Sequence, residues 1–103
     1  MNYSYIGMLV IGLLVSILGI PNLKGNISSI HWYNRTRVSE ADVPKYGKFM
    51  GIGTIIIGLS ITVTAIISLF IELVPVFILT LVGVIVGVAF MLYAQFKYNG
   101  GLF

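Results

Sequence analysis

The chain has 103 residues, 58% of them hydrophobic and only 9% charged, whereas a soluble domain carries about 25% charged residues. One domain of this length has too little interior to hide so much apolar surface from water, so lipid is the expected solvent. The formal charge of +3 suits nucleic acid, but the basic residues flank apolar runs, where they read as topology signals and contacts for anionic headgroups.

The first apolar run covers about residues 3–20 and is expected to close at Pro21-Asn22. At 1.5 Å per residue it reaches roughly 27 Å, enough to cross a hydrocarbon core of about 30 Å. A secretory signal peptide is the competing reading. It wants a basic leader and a small-x-small cleavage site, whereas Met1 to Tyr5 carry no side-chain charge. Tyr3 and Tyr5 suit an interfacial aromatic belt, and a retained span is expected.

Residues 21–48 form the only substantial polar stretch, with Lys24, Arg35, Arg37, Lys45 and Lys48 against Glu40 and Asp42. Within it, Asn26 to Arg35 is expected to form a short amphipathic helix along the membrane surface, with Ile27, Ile30 and His31 on one face. Trp32, Tyr33, Asn34, Arg35 and Arg37, with Lys45 and Lys48, are the expected contacts for lipid headgroups or a partner. Interleaved aromatics and cations also occur on single-stranded nucleic-acid surfaces, but beside a membrane they serve as anchors, and no nucleic-acid partner is expected. Asp42 is the expected N-cap of the next helix, and Pro44 fits its first turn because the amide it lacks has no helical partner there. Asn26-Ile27-Ser28 and Asn34-Arg35-Thr36 match the N-glycosylation pattern, which requires a lumenal location; the basic loop is expected on the opposite side, so both read as chance matches.

From Phe49 to Phe96 the chain is almost uninterrupted hydrocarbon, too long for one helix and right for two joined by a tight hairpin. The spans are expected at about residues 49–71 and 74–93, with the turn at 72–75, marked by Glu72 and Pro75. Lys97 follows the last span. Since Lys and Arg in short loops mark the cytoplasmic side, the N-terminus is expected outside and the basic loop and C-terminus inside. The fold class is therefore an all-α integral membrane protein, with three transmembrane helices and a short amphipathic cytoplasmic loop helix.

Small residues make stripes at helical spacing. The second span carries Gly51, Thr54, Gly58, Thr62 and Ala65 on one side, with Ser60, Thr64 and Ser68 adjoining and Ile55, Ile56, Leu59, Val63, Ile66, Ile67 and Phe70 opposite. The third offers Thr80, Gly83, Gly87 and Ala94, and the first Gly12, Ser16 and Gly19. Such stripes let helix backbones approach closely, either within one molecule or toward a partner or second copy. No ionisable residue falls near the middle of any predicted span, which disfavours a solo ion-coupled transporter.

His31 is the only histidine and there is no cysteine. The sequence holds no recognisable metal set, nucleophile–base pair, paired carboxylates or phosphate-binding glycine loop. A non-enzymatic protein without a cofactor is expected.

The run Trp32-Tyr33-Asn34, followed by Lys45-Tyr46-Gly47-Lys48-Phe49-Met50-Gly51 entering an apolar helix, resembles a family of small three-span bacterial membrane proteins of unknown function. The similarity is best over residues 30–60 and implies a bacterial cytoplasmic membrane. A fainter resemblance is to the C-terminal membrane domain of Sdp-type immunity proteins, which also join a loop rich in Arg, Trp and Asn to a span beginning at Gly. The loop here lacks the His-Arg pairing expected before that span. Three functions remain in view: an accessory or interaction subunit of a membrane complex, immunity against a membrane-active peptide, and a small transporter or pore built by homo-oligomerisation.

Overall fold

The computed structural model describes residues 4–28, 30, 35–71 and 74–101. Three α-helices account for most of them: α1 (Ser4–Leu23), α2 (Val43–Phe70) and α3 (Phe77–Tyr98). Among the described residues there is no strand. All three helices are long and apolar enough to cross a membrane. In chain order they run up, down and up. α2 is the central element, and α1 and α3 each pack along it rather than on each other. Tyr5 and Phe77 bring the hairpin ends of α1 and α3 together, with ring centroids 6.0 Å apart.

The helices begin and end differently from the hydropathy boundaries. α1 does not stop at Pro21 but continues through it to Leu23. In the last turn a proline removes one backbone bond without ending the helix outright. The stop comes from Gly25, whose φ of +96° no other residue type adopts as readily. Its amide bonds the Asn22 carbonyl at 2.9 Å, and the Asn26 amide bonds the Pro21 carbonyl at 2.9 Å, so the last carbonyls are satisfied by a Schellman turn.

α2 starts six residues before the apolar run does. Its 28 residues reach about 42 Å, well beyond a hydrocarbon core of about 30 Å. Lys45 and Lys48 lie in the overhanging turns. Asp42 does stand at the N-cap position, but its side chain makes no capping bond. A 3-10 turn over Glu40–Asp42 keeps Asp42 in helical geometry (φ −93°, ψ −9°), whereas side-chain capping needs an extended residue there. Pro44 occupies the first turn.

The amphipathic loop helix expected over Asn26 to Arg35 is not formed where the chain is described. Residues 26–28 and 30 are turn and irregular backbone, and 31–34 lie outside the described residues. The Asn26 side chain accepts bonds from the Ser28 amide (3.0 Å) and hydroxyl (2.7 Å), a local alternative to helical bonding. At the other end, Val74–Val76 make a 3-10 turn before α3, and Glu72 lies outside the described residues.

The packing of the spans follows from their glycines. Gly12, Ser16 and Gly19 of α1 face Gly51, Gly58 and Thr62 of α2. A Cβ added at Gly51 would meet the Leu23 amide nitrogen at 2.5 Å, and one at Gly12 would meet the Thr62 nitrogen at 2.7 Å. α2 has a second small stripe, rotated by about half a turn: Gly53, Ser60 and Thr64, facing α3, with Ile57 between them packed on Gly87. There a Cβ on Gly87 would sit 2.6 Å from the Gly53 carbonyl oxygen, and one on Gly83 would run into Ser60. Thr80 donates a 2.8 Å hydrogen bond to the Thr64 hydroxyl across this seam. Ser16, Thr54, Ser60 and Thr62 instead bond carbonyls four residues earlier in their own helices. Ile55 differs from the expected lipid-facing placement, since it packs where a Gly19 side chain would be.

Candidate functional site

The loop between α1 and α2 is folded into a cap. Gly25 turns the chain back across the start of α2, and a side chain at Gly47 would strike the Asn22 carbonyl oxygen at 2.7 Å. That approach seats Ile27 in a buried cluster with Tyr46, Met50 and Ala94, ringed by Ile30, Val38, Val43 and Met91. Asn22 is buried, and its amide donates to the Asn26 carbonyl at 2.8 Å.

The end of α3 is tied into the same cap. The Tyr46 hydroxyl, wholly buried, donates to the Gln95 side-chain oxygen. The Gln95 amide donates to the Gly101 carbonyl (3.1 Å), which also accepts from the Asn99 amide (2.9 Å). Asn99 in turn accepts from the backbone amide of Arg37 at 2.8 Å, 62 residues away in the chain. Gly100, at φ +76°, turns the chain so that Gly101 can reach back, and its amide bonds the Gln95 carbonyl. Each buried side-chain polar atom among the described residues has a partner, as burial away from water demands.

Beside the cap, the outer side of α2 and α3 carries an aromatic cluster. Phe49 meets Tyr93 edge-on at 5.0 Å and stacks near Phe90 and Tyr98 at 6.4 and 6.2 Å. Offset and edge-on pairs of this kind are the favoured ring arrangements. Phe49, Ala89, Phe90 and Tyr93 line a groove of about 340 Å³. The Lys97 ammonium stands over the Tyr93 ring, 5.6 Å from its centroid.

The residues expected to touch headgroups or a partner divide. Trp32, Tyr33, Asn34 and His31 lie outside the described residues. Arg35 is half-buried and its Nε donates to the Ile30 carbonyl at 2.9 Å. The Arg37 guanidinium lies along Gly100 and Gly101, where a Gly101 side chain would meet it at 2.9 Å. Lys45 and Lys48 point outward and are exposed. The small residues Gly12, Gly19, Gly51, Gly58, Thr62, Gly83 and Gly87 are buried between helices, with Ser16, Thr54 and Thr80 half-buried beside them. Among the described residues no group of His, Asp and Glu is placed to hold a metal ion.

Sequence reasoning met Tyr46 only within the run that carries the resemblance, and passed over Gln95 and Asn99. One signal was available: Gln95 and Asn99, four apart on one face at the end of an apolar helix and followed by Gly-Gly, need polar partners at that end. In comparisons with known proteins, no family model, curated protein or solved structure matches this chain.

Proposed function

We propose that this is a non-enzymatic membrane protein that works by contact, as an accessory or interaction subunit of a membrane complex. It would sit in a bacterial cytoplasmic membrane with its N-terminus outside and its cap and C-terminus in the cytoplasm. The charge pattern supports that orientation, since all the described basic residues gather at the cap end.

One observation carries the reading. Among the described residues, the cluster of buried apolar side chains lies at the cap rather than in mid-membrane, and it fixes a loop that merely joining two spans would not require. A connector can stay loose at little cost, because closing a loop grows only slowly more expensive with length. A connector tied to the far end of the chain through the Arg37–Asn99 bond, over an α2 start that Tyr46 ties to α3, instead presents a fixed surface, which includes Lys24, Thr36, Ser39 and Glu40. The glycine seams support the same reading from the other side. They are consumed between α1, α2 and α3, which leaves the cap and the outer helix faces as the surfaces for a partner.

The test is purification in native nanodiscs, read by native mass spectrometry, for the wild type and for Asn99→Ala. The expected result is a heterologous membrane protein in fixed stoichiometry with the wild type and depleted with Asn99→Ala. A lone monomer, with no partner cross-linked in cells from a cysteine at Ser39, would remove the reading. A clean homo-oligomer would replace it with the pore or immunity roles, to be separated by flux and peptide-sensitivity assays.

A further inference from the structure

We propose that the aromatic groove between α2 and α3 is a site for one anionic phospholipid, with an acyl chain lying along Phe49, Ala89 and Phe90 and the phosphate held by Lys97 and Lys45. The groove is apolar along its length and opens toward lipid, lined by Phe49, Ala89, Phe90 and Tyr93. Ala89 contributes only a single methyl to this lining, where a larger side chain would occupy the recess. The polar end is set by helical spacing. Phe90, Tyr93 and Lys97 follow one another at three and four residues on α3, so the lysine stands one turn beyond the groove toward the cap. Lys45 stands four residues before Phe49 on α2, again one turn toward the cap and on the same side.

Two helices running in opposite directions therefore place a cation at the same end of one apolar recess. That is the charge pattern of a phospholipid, with its tail inward and its phosphate at the surface. The Lys97 ammonium stands over the ring of Tyr93, 5.6 Å from its centroid, and so beside a residue that lines the groove. Glu40 is off both stripes, and Asp42, three residues before Lys45 on the α2 stripe, is one carboxylate against two lysines, so this end of the groove keeps a net positive charge. A partner helix or a second copy would fill an apolar recess as well, but neither accounts for a cation at the end of both walls.

The test is native mass spectrometry of the purified chain in mild detergent, titrated with phosphatidylglycerol and phosphatidylcholine of identical acyl chains. Four proteins are compared: wild type, Lys45→Gln/Lys97→Gln, Ala89→Phe, which fills the recess, and Lys24→Gln, which removes a cap lysine outside both stripes. Circular dichroism checks that each keeps its helices, and Ala89 is exposed, so its enlargement leaves the glycine seams untouched. Wild type should retain one phosphatidylglycerol in preference to phosphatidylcholine. Removal of the two lysines should weaken that adduct by about fivefold for each. Ala89→Phe should abolish it, and Lys24→Gln should leave it within twofold. Equal retention of the two lipids would overturn the site, as would a loss with Lys24→Gln as large as with the double variant. An adduct that survives Ala89→Phe would overturn it too. So would disulfide dimerisation through Ala89→Cys at the groove in native membranes, which would assign the recess to a second copy.

Discussion

Whether a glycine matters depends on what its missing side chain would touch. Gly58 faces the backbone of α1, and a Cβ there would lie 2.8 Å from the Ser16 Cα, a contact that no rotamer relieves. Gly7 has nothing within 4 Å of the same position. Gly58→Ala is therefore expected to destabilise the bundle by about 1–3 kcal/mol through overpacking. Gly7→Ala should leave it unchanged or stabilise it by up to about 1 kcal/mol, from helix propensity alone. Steric-trapping unfolding in bicelles measures both, and equal effects would contradict the close approach of α1 and α2. Gly83 is an intermediate case, since the obstructing atoms belong to the Ser60 side chain. The double variant Gly83→Ala/Ser60→Gly should regain much of the stability that Gly83→Ala loses, by the same measurement. Tyr46 makes the corresponding polar case. Tyr46→Phe keeps the ring but removes the buried hydroxyl that donates to the Gln95 oxygen, and should cost about 1 kcal/mol.

At the scale of elements, the cap behaves as a separate unit of stability from the spans. It depends on the Asn99 bond to the Arg37 amide, whereas α2 depends on two glycine seams. Asn99→Ala should therefore raise hydrogen exchange at the Arg37 and Val38 amides while the mid-helix amides of α2 keep their protection. Matching loss in both places would mean that cap and bundle open together. The three helices were legible in the sequence because apolar length alone identifies a span. The start of α2 was legible too, from Asp42 and Pro44 ahead of the apolar run that begins at Phe49, although Asp42 makes no capping bond. Gly53 was missed. A search for a single small stripe settles on Gly51 and Gly58, while a helix with two neighbours needs two stripes, and Gly53, Ser60 and Thr64 make the second. The cap was illegible because its ties, Tyr46 to Gln95 and Arg37 to Asn99, join residues remote in sequence. Local pattern instead suggested a surface helix over a stretch where the Asn26 side chain makes its own turn.

The whole molecule is polar at one end. α1 finishes, α2 begins and α3 finishes at the cap, so Lys24, Arg35, Arg37, Lys45, Lys48 and Lys97 all lie there, although they span most of the chain. The hairpin end has no Lys or Arg in the sequence at all. Translocating Lys and Arg is disfavoured, and six of them at one end give a one-sided bias that the two acidic residues of the cap do little to offset. The chain lacks cysteine, so any cysteine introduced is the only one to react. Ser39 is an exposed cap residue and Ile71 an exposed residue at the end of α2. In intact bacterial cells an impermeant maleimide should label Ile71→Cys and spare Ser39→Cys, and opening the cells should expose Ser39→Cys as well. The reverse pattern would place the cap outside, and with it the lysines, the groove they end and the surface offered to a partner.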